Sequence, residues 1–247
     1  MAYEKERDFL KEYVRDRVDF SSTDQVLGIE MPPLENEVPE GVEVIKLPDP
    51  SKDLEKKNSL FDLVNSRASR RKFTGEKITL EELSYLLFVT YGVRDKRIPF
   101  RVLKTAPSAG NRHSIEITLI VLDVEDLKPG IYRYTPMDHS IYKISSAENL
   151  IEKLNKGVRK QRFVINSAVV FLLSTIPYRT EWRYKEASHK VIALDAGHIG
   201  ENLYLACEAL GLGTCAIGAY DQDLIDELIE VDGEEEFTIY VFPVGRY

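Results

Sequence analysis

The sequence predicts an α+β fold in which a mixed, largely antiparallel sheet is flanked by helices. Three stretches carry that expectation. The run SAVVFLLSTI (167–176) is almost wholly apolar, as a central strand covered on both faces must be. In GIYRYTPMDHSIYKI (130–144), aromatic and polar residues alternate about a Pro-Met-Asp-His turn, the pattern of a hairpin. The segment VIALDAGHIGENLYLACEAL (191–210) is apolar or small almost all the way round, which suits a helix buried on most sides. Helices and strands are mixed, at least one hairpin is present, and neither an internal repeat nor an obvious linker appears, which favours packed α+β layers.

Taken in chain order, the first twenty residues place Phe9, Leu10, Tyr13, Val14 and Val18 at the spacing of an amphipathic helix. Residues 21–57, rich in Pro and acidic groups, lack a period and read as an extended arm over a surface or a partner subunit. Residues 1–57 are therefore assigned as N-terminal helix and arm, and 58–247 as the main domain. SLFDLVNSR (59–67) is helical, and a second helix opens where Thr79 and Glu82 form a capping-box pattern before LSYLLFVTYG. Strand IEITLIVL (115–122), the hairpin, helix AENLIEKLNKGV (147–158) and the central strand follow. The long helix runs from about Ser188 to Leu210. Gly197 and Gly200 each cost it about 1 kcal/mol against alanine, which predicts close approach of another helix, across a dimer interface for example. Gly211 stands where a C′ glycine belongs. A short strand GTCAIGA (213–219), a helix over 221–229 and a last strand FTIYVFPVG (237–245) complete the chain.

Composition excludes several classes. Lys and Arg number 33 against 41 Asp and Glu, a net charge of −8, and nucleic acid or an anionic membrane as main partner needs the opposite surplus. Cys207 and Cys215 have neither zinc-ligand spacing nor a disulfide framework around them, so reduced thiols are expected. The N-terminus is too charged for a secretory signal, and no run approaches twenty apolar residues. A cytoplasmic protein is the expectation. His113, His139, His189 and His198 lack metal-ligand spacing, and no GxSxG elbow accompanies them.

Four stretches bear on chemistry. SRASRRKFTGE (66–76) concentrates basic residues in an acidic protein. Alternate residues of an extended segment point one way, so Arg67, Ser69 and Arg71 can converge on one anion; a solvated charge run is the other reading. TAPSAGNRHSIE (105–116) sets small residues before a core strand, where backbone can approach a ligand, or where a turn is simply needed. GLGTCAIGA (211–219) flanks an apolar strand with glycines, and PVGRY puts Arg246 just behind the last strand. No Walker loop occurs, and no GxGxxG follows a strand.

The order of these pieces resembles the FMN-dependent nitroreductase family: R-x-S-x-R-x-F (Arg67, Ser69, Arg71, Phe73), a Pro-Ser loop before a core strand, a Gly-containing helix ending in ALGLGT, then AIG and a terminal PVGR. PSAGNRHSIE, GIYRY and TEWRYKEASHKVIALDAGHIGENLYLACEALGLG are similar to the SagB-type dehydrogenase branch. The resemblance covers about residues 60–247. It implies a three-layer α/β/α sandwich built as an intertwined homodimer with FMN at the subunit interface. By position it implies Arg67 and Arg71 at the phosphate and ribityl end, Ser69 near the ring or ribityl hydroxyls, and Arg246 as a second phosphate ligand. It also implies Pro107, Ser108, Ala109 and Gly110 against the ring from the other subunit, Asn111 at the ring edge, and Ile217 and Gly218 offering an amide near flavin N5. The implied chemistry is two-step hydride transfer from NAD(P)H through FMN to an unidentified small-molecule acceptor, without a metal. SagB-type enzymes that oxidise azolines use a Lys-Tyr pair; the matching place here holds Arg183-Tyr184. Arginine stays protonated and is a poor base, which leaves Tyr184 as the candidate catalytic residue, orienting substrate or donating a proton, or with Trp182 merely walling the pocket. Alternatives are a peptide azoline dehydrogenase acting in a complex and a flavin-binding protein without turnover.

Overall fold

A computed structural model of the chain describes residues 3–51, 54, 56, 57, 59–97, 101–146 and 148–247. Ala147, which opens one expected helix, and residues 1, 2, 52, 53 and 55 of the expected N-terminal segment lie outside the described residues. The elements are α1 (Glu4–Leu10), α2 (Val14–Arg17), β1 (Val44–Lys46), α3 (Leu60–Ser66), α4 (Leu80–Tyr91), β2 (Val93–Asp95), β3 (Leu103–Lys104), β4 (Ile115–Val121), β5 (Gly130–Thr135) and β6 (Ser140–Ser145). They continue through α5 (Leu150–Gly157), β7 (Val169–Thr175), α6 (Tyr178–Tyr184), α7 (Ser188–Ala209), β8 (Gly213–Thr214), α8 (Gln222–Leu228) and β9 (Phe237–Gly245).

The main sheet has seven strands in the order β1-β6-β5-β4-β7-β9-β8. Every named pair in it is antiparallel, and among the described residues parallel pairing is confined to single bridges, Ser69 with Thr214 and Ile78 with Val124. Successive residues of a strand face opposite ways. On β7, Val169, Phe171 and Leu173 accordingly join Leu86 and Leu87 of α4 and Leu203 of α7. Val170 and Leu172 join Leu154 of α5 and Ile225 of α8 on the other face. That double cover explains the apolar run in β7 and gives three layers, helices on both sides of the sheet. Each such side chain removed from water contributes about 1.5–3 kcal/mol.

Local signals act as expected at the helix ends. Thr79 Oγ1 accepts from Glu82 N at 3.1 Å and Glu82 Oε2 accepts from Thr79 N at 2.8 Å, a complete capping box. Gly211, at φ +67°, ends α7, with Gly211 N donating to Glu208 O at 3.2 Å and Leu212 N to Cys207 O at 2.8 Å.

Three expectations need correction. The N-terminal twenty residues form two short helices rather than one, because the chain turns extended at Lys11 (ψ 161°), and Phe9, Leu10 and Tyr13 stay exposed. Burial of α7 holds for its inner side only; Ala193, Leu194, Gly197, His198 and Glu201 form an exposed strip in the single chain. Gly200 is small because of a strand residue, not a helix: a Cβ there would stand 2.7 Å from the Phe242 ring, whereas Gly197 faces open space.

The arm lies on its own chain. Gln25 N donates to Trp182 O and Trp182 Nε1 to Ile29 O, both at 3.0 Å. Asn36 N donates to Glu116 Oε1 at 3.1 Å, β1 adds the sheet's edge strand on β6, and Leu47 enters the core.

Candidate functional site

Leaving α3, the chain runs extended past β8. Arg70 N donates to Thr214 O at 2.9 Å while Ser69 bridges Thr214, so the backbone is fixed and the alternating side chains separate. Arg70 turns inward, its guanidinium 4.4 Å above the Tyr247 ring. Arg67 and Ser69 meet at Tyr204 of α7: Arg67 Cζ lies 5.2 Å from the ring centroid, and Ser69 Oγ shares a 2.9 Å hydrogen bond with the Tyr204 hydroxyl. That hydroxyl also accepts from Ala216 N at 2.8 Å, tying the segment to the turn before Ile217 and Gly218. Arg71 is exposed two residues on. Among the described residues, neither Arg67 nor Arg71 has a carboxylate within 4.0 Å. Arg246 does: its Nη2 donates to both carboxylate oxygens of Glu82, at 2.9 and 3.0 Å, and its Nε to Lys77 O at 3.1 Å.

Ile217 spends both backbone groups on Val241, donating at 2.8 Å and accepting at 3.2 Å. Gly218 is exposed, its amide has no acceptor among the described residues, and it borders a cavity of about 460 Å³ walled by Ile192, Ala193, Ala196, Ile239 and Tyr240.

The loop of residues 107–111 is built around internal bonds. Gly110, Asn111 and His113 have φ of +59°, +58° and +50°; glycine takes this region freely, whereas Asn111 and His113 must be held there by their surroundings. Asn111 braces it by accepting from Val102 N at 3.0 Å and donating to Val102 O at 2.6 Å, so its amide faces the protein rather than a ligand. His113 N donates to Ser108 Oγ at 2.9 Å, and Ala109 N to Asp195 Oδ2 of α7, also at 2.9 Å. Burial raises the Asp195 carboxyl above its ordinary value, opposed by the bonds it accepts from Ala109 and Ser108. Burial, helped by the Lys104 charge, lowers His113 to about 3, so its imidazole is neutral and serves as a strut. Pro107 is exposed beside these struts. Gly110 faces Tyr184: a Cβ there would stand 2.6 Å from the Tyr184 hydroxyl and 2.8 Å from Arg183 Cδ. Arg183 Nε donates to that hydroxyl at 3.2 Å.

The expected residues thus fall into two groups: Arg67 and Ser69 meet at Tyr204, which Ala216 N ties to the turn before Ile217 and Gly218, with Arg71 exposed two residues beyond Ser69; residues 107–111 lie with Tyr184 and Asp195. Asp195 and Tyr204 lie about 14 Å apart along α7 and on opposite sides of it, at 1.5 Å and 100° per residue. The Arg246 side chain is paired with Glu82 at the start of α4, while its carbonyl accepts from Thr74 N at 3.0 Å, three residues beyond Arg71. Sequence reasoning passed over Tyr204 and Asp195, although each is a polar-tipped residue inside an apolar helix, which calls for a partner. Among the described residues there is no His, Cys, Asp and Glu cluster able to hold a metal, and no helix is long and apolar enough to cross a membrane.

Comparison with known proteins agrees with this architecture. A model of the nitroreductase family matches residues 64–246. A Methanocaldococcus jannaschii protein that carries the nitroreductase name by assignment is 34% identical over 187 residues, 76% of this chain and 90% of its own. A chain of the E. coli microcin synthetase McbBCD complex, solved with truncated pro-MccB17, superposes with a TM-score of 0.62 at 16% identity over 100% of this chain and 98% of its own. A Desulfovibrio desulfuricans protein of the nitroreductase kind, solved in complex with FMN, gives 0.52 at 18% identity over 77% of this chain and 87% of its own.

Proposed function

The chain belongs to the nitroreductase family, and from that premise we propose that it is an FMN-dependent oxidoreductase working as a homodimer, with NAD(P)H as donor and a small molecule as acceptor. The observation that supports the reading is a set of uncommitted donors on the segment and the turn that Tyr204 joins: the Arg67 and Arg71 guanidinium groups and the Gly218 amide. These residues fit FMN. Arg67 and Arg71 would hold the phosphate, which arginine recognises through paired N–H groups, and Ser69 would serve the ribityl hydroxyls. With the Ile217 amide spent on Val241, Gly218 N–H is the donor left for the ring edge near N5. Arg246, committed to Glu82, is left to brace the start of α4. Bound FMN would supply hydride acceptance from NAD(P)H and hydride delivery to the acceptor.

The separation of the two groups supports a homodimer. A second copy could set its 107–111 loop, with Pro107, Ser108, Ala109 and Gly110 foremost, against the Tyr204 group of the first. The single chain offers apolar surface for this: Leu60, Phe61 and Val64 on α3 are 66, 79 and 57% exposed, and Leu194 on α7 is 53% exposed beside the open Gly197. Tyr184 orients the acceptor and can give a proton, and Arg183 Nε holds the Tyr184 hydroxyl. A second reading, peptide azoline oxidation within a complex, draws support from the match to the microcin synthetase chain, which spans the N-terminal arm as well; Arg183 in place of lysine weighs against it.

Anaerobic mixing of FMN-loaded protein with NADH and NADPH, followed at the flavin absorption band, tests the reading: bleaching is expected with at least one donor. Arg67→Ala or Arg71→Ala should lower flavin content after gel filtration. Full retention in both variants removes the phosphate assignment.

A further inference from the structure

The cavity beside Tyr184, about 410 Å³, brings Arg101, Arg112 and Arg183 together between walls that include Gln25, Met31 and Trp182. Among the described residues, no carboxylate stands within 4.0 Å of any of the three guanidinium groups. Arg112 is the telling member, since it is 3% exposed. Its Nη2 donates to Asn111 O at 3.1 Å and its Cζ lies 5.1 Å from the Trp182 ring, while buried Nε and Nη1 have no acceptor among the described residues. A buried charge left in that condition is costly, and proteins pair such groups as a rule.

The same chain shows that rule. Arg179, 2% exposed, reaches Glu116 at 2.6 Å, His113 O at 3.1 Å and Asn36 Oδ1 at 2.8 Å, and Arg133, 5% exposed, reaches Glu236 at 2.9 Å. Arg112 instead meets Arg183, and burial together with that like charge lowers its pKa. The surroundings are firmly held. Gln25 is tied to Trp182, Trp182 to Ile29, and Gly110 is packed against Arg183 and Tyr184. Positive charge is thus concentrated, without compensation, in a pre-formed space next to the candidate catalytic tyrosine.

We propose that this cavity binds the oxyanion of a small molecule, a carboxylate or a phosphoryl group, between Arg101, Arg112 and Arg183, with the N-terminal arm as one wall. Both anions match the planar fork of arginine. An anion here relieves the repulsion between Arg112 and Arg183 and brings the rest of its molecule beside Tyr184. Naming that molecule as a reactant of the flavin rests on the proposed function; anion binding itself does not.

Calorimetric titration of the FMN-loaded protein with inorganic phosphate and with benzoate tests the site, because bound flavin keeps the Arg67 and Arg71 group occupied. At least one anion should bind, and Arg112→Met or Arg101→Met should weaken it about tenfold or more, as loss of a charged hydrogen-bond partner does. Arg101 is exposed, so its variant keeps the test independent of folding. Tighter phosphate binding would point to a nucleotide and tighter benzoate binding to an acidic acceptor, and either supports the site. The ratio of kcat/KM for 4-nitrobenzoate over uncharged nitrobenzene should fall in both variants. A protein that NADH or NADPH bleaches but that binds neither anion, or binds them equally well in both variants, overturns the site and keeps the proposed function. A flavin-free protein that still binds phosphate in an Arg101-dependent way does the reverse.

Discussion

At the scale of single residues, Gly110 and Tyr204 do the most. Gly110 combines a φ of +59° with contact to Tyr184 and Arg183, so Gly110→Ala meets both backbone strain and a clash. A loss of about 1–3 kcal/mol is expected in urea unfolding, with a larger fall in turnover than in flavin content, since the loop faces Tyr184. Unchanged stability would show that the loop relaxes freely. Tyr204→Phe removes a hydroxyl that serves Ser69 and the Ala216 amide together. About 1–2 kcal/mol of stability should go, and flavin should wash out faster during dialysis. The small residues of PSAG were legible as a place of close approach, but what approaches was not. Within the chain it is Tyr184, Arg183 and Asp195, all distant in sequence, and a turn motif carries no information about such partners.

At the scale of elements, periodicity and capping were readable wherever the deciding contact is local. The Thr79 box, the Gly211 end of α7, the hairpin and the last strand stand where the residue pattern puts them. Failures fall where packing decides. The short helix α6 went unread because seven residues carry too little period. The N-terminal helix divides where the chain turns extended at Lys11, with Phe9, Leu10 and Tyr13 exposed and Val14 and Val18 half-buried. The start of α4 has a further function, since Glu82 caps the helix and also accepts from Arg246. Thr79→Ala should cost about 1 kcal/mol, and Glu82→Ala clearly more, because it frees Arg246 as well. Equal urea midpoints for the two variants would mean that the Arg246 contact contributes nothing.

At the scale of the whole molecule, the arm is joined to the core through charge. Burial, reinforced by the Glu116 charge, pushes the Glu35 carboxyl up to about 7, even though it accepts from Met137 N. A carboxyl raised on folding holds its proton better in the native state, so its contribution is full below the ordinary carboxylate pKa and fades as pH rises through about 7. Denaturant unfolding at pH 5 and pH 8 should therefore show the parent chain losing about 1–3 kcal/mol relative to Glu35→Gln across that interval. A constant difference between the two proteins would remove Glu35 from the account. Nothing in the acidic, Pro-rich arm sequence announced this burial, since it depends on residues 116 and 137 across the sheet.

Strand β9, formed by Phe237–Gly245, lies between β7 and β8, and its Phe242 fills the space under Gly200. During synthesis, the earlier strands and both large helices therefore leave the ribosome before the strand that completes their core. Until residues 237–245 emerge, β7 presents an unpaired edge and α7 an uncovered inner face, both prone to wrong association. Synonymous changes that slow translation just before codon 237 should therefore raise the insoluble fraction without altering any residue of the finished protein.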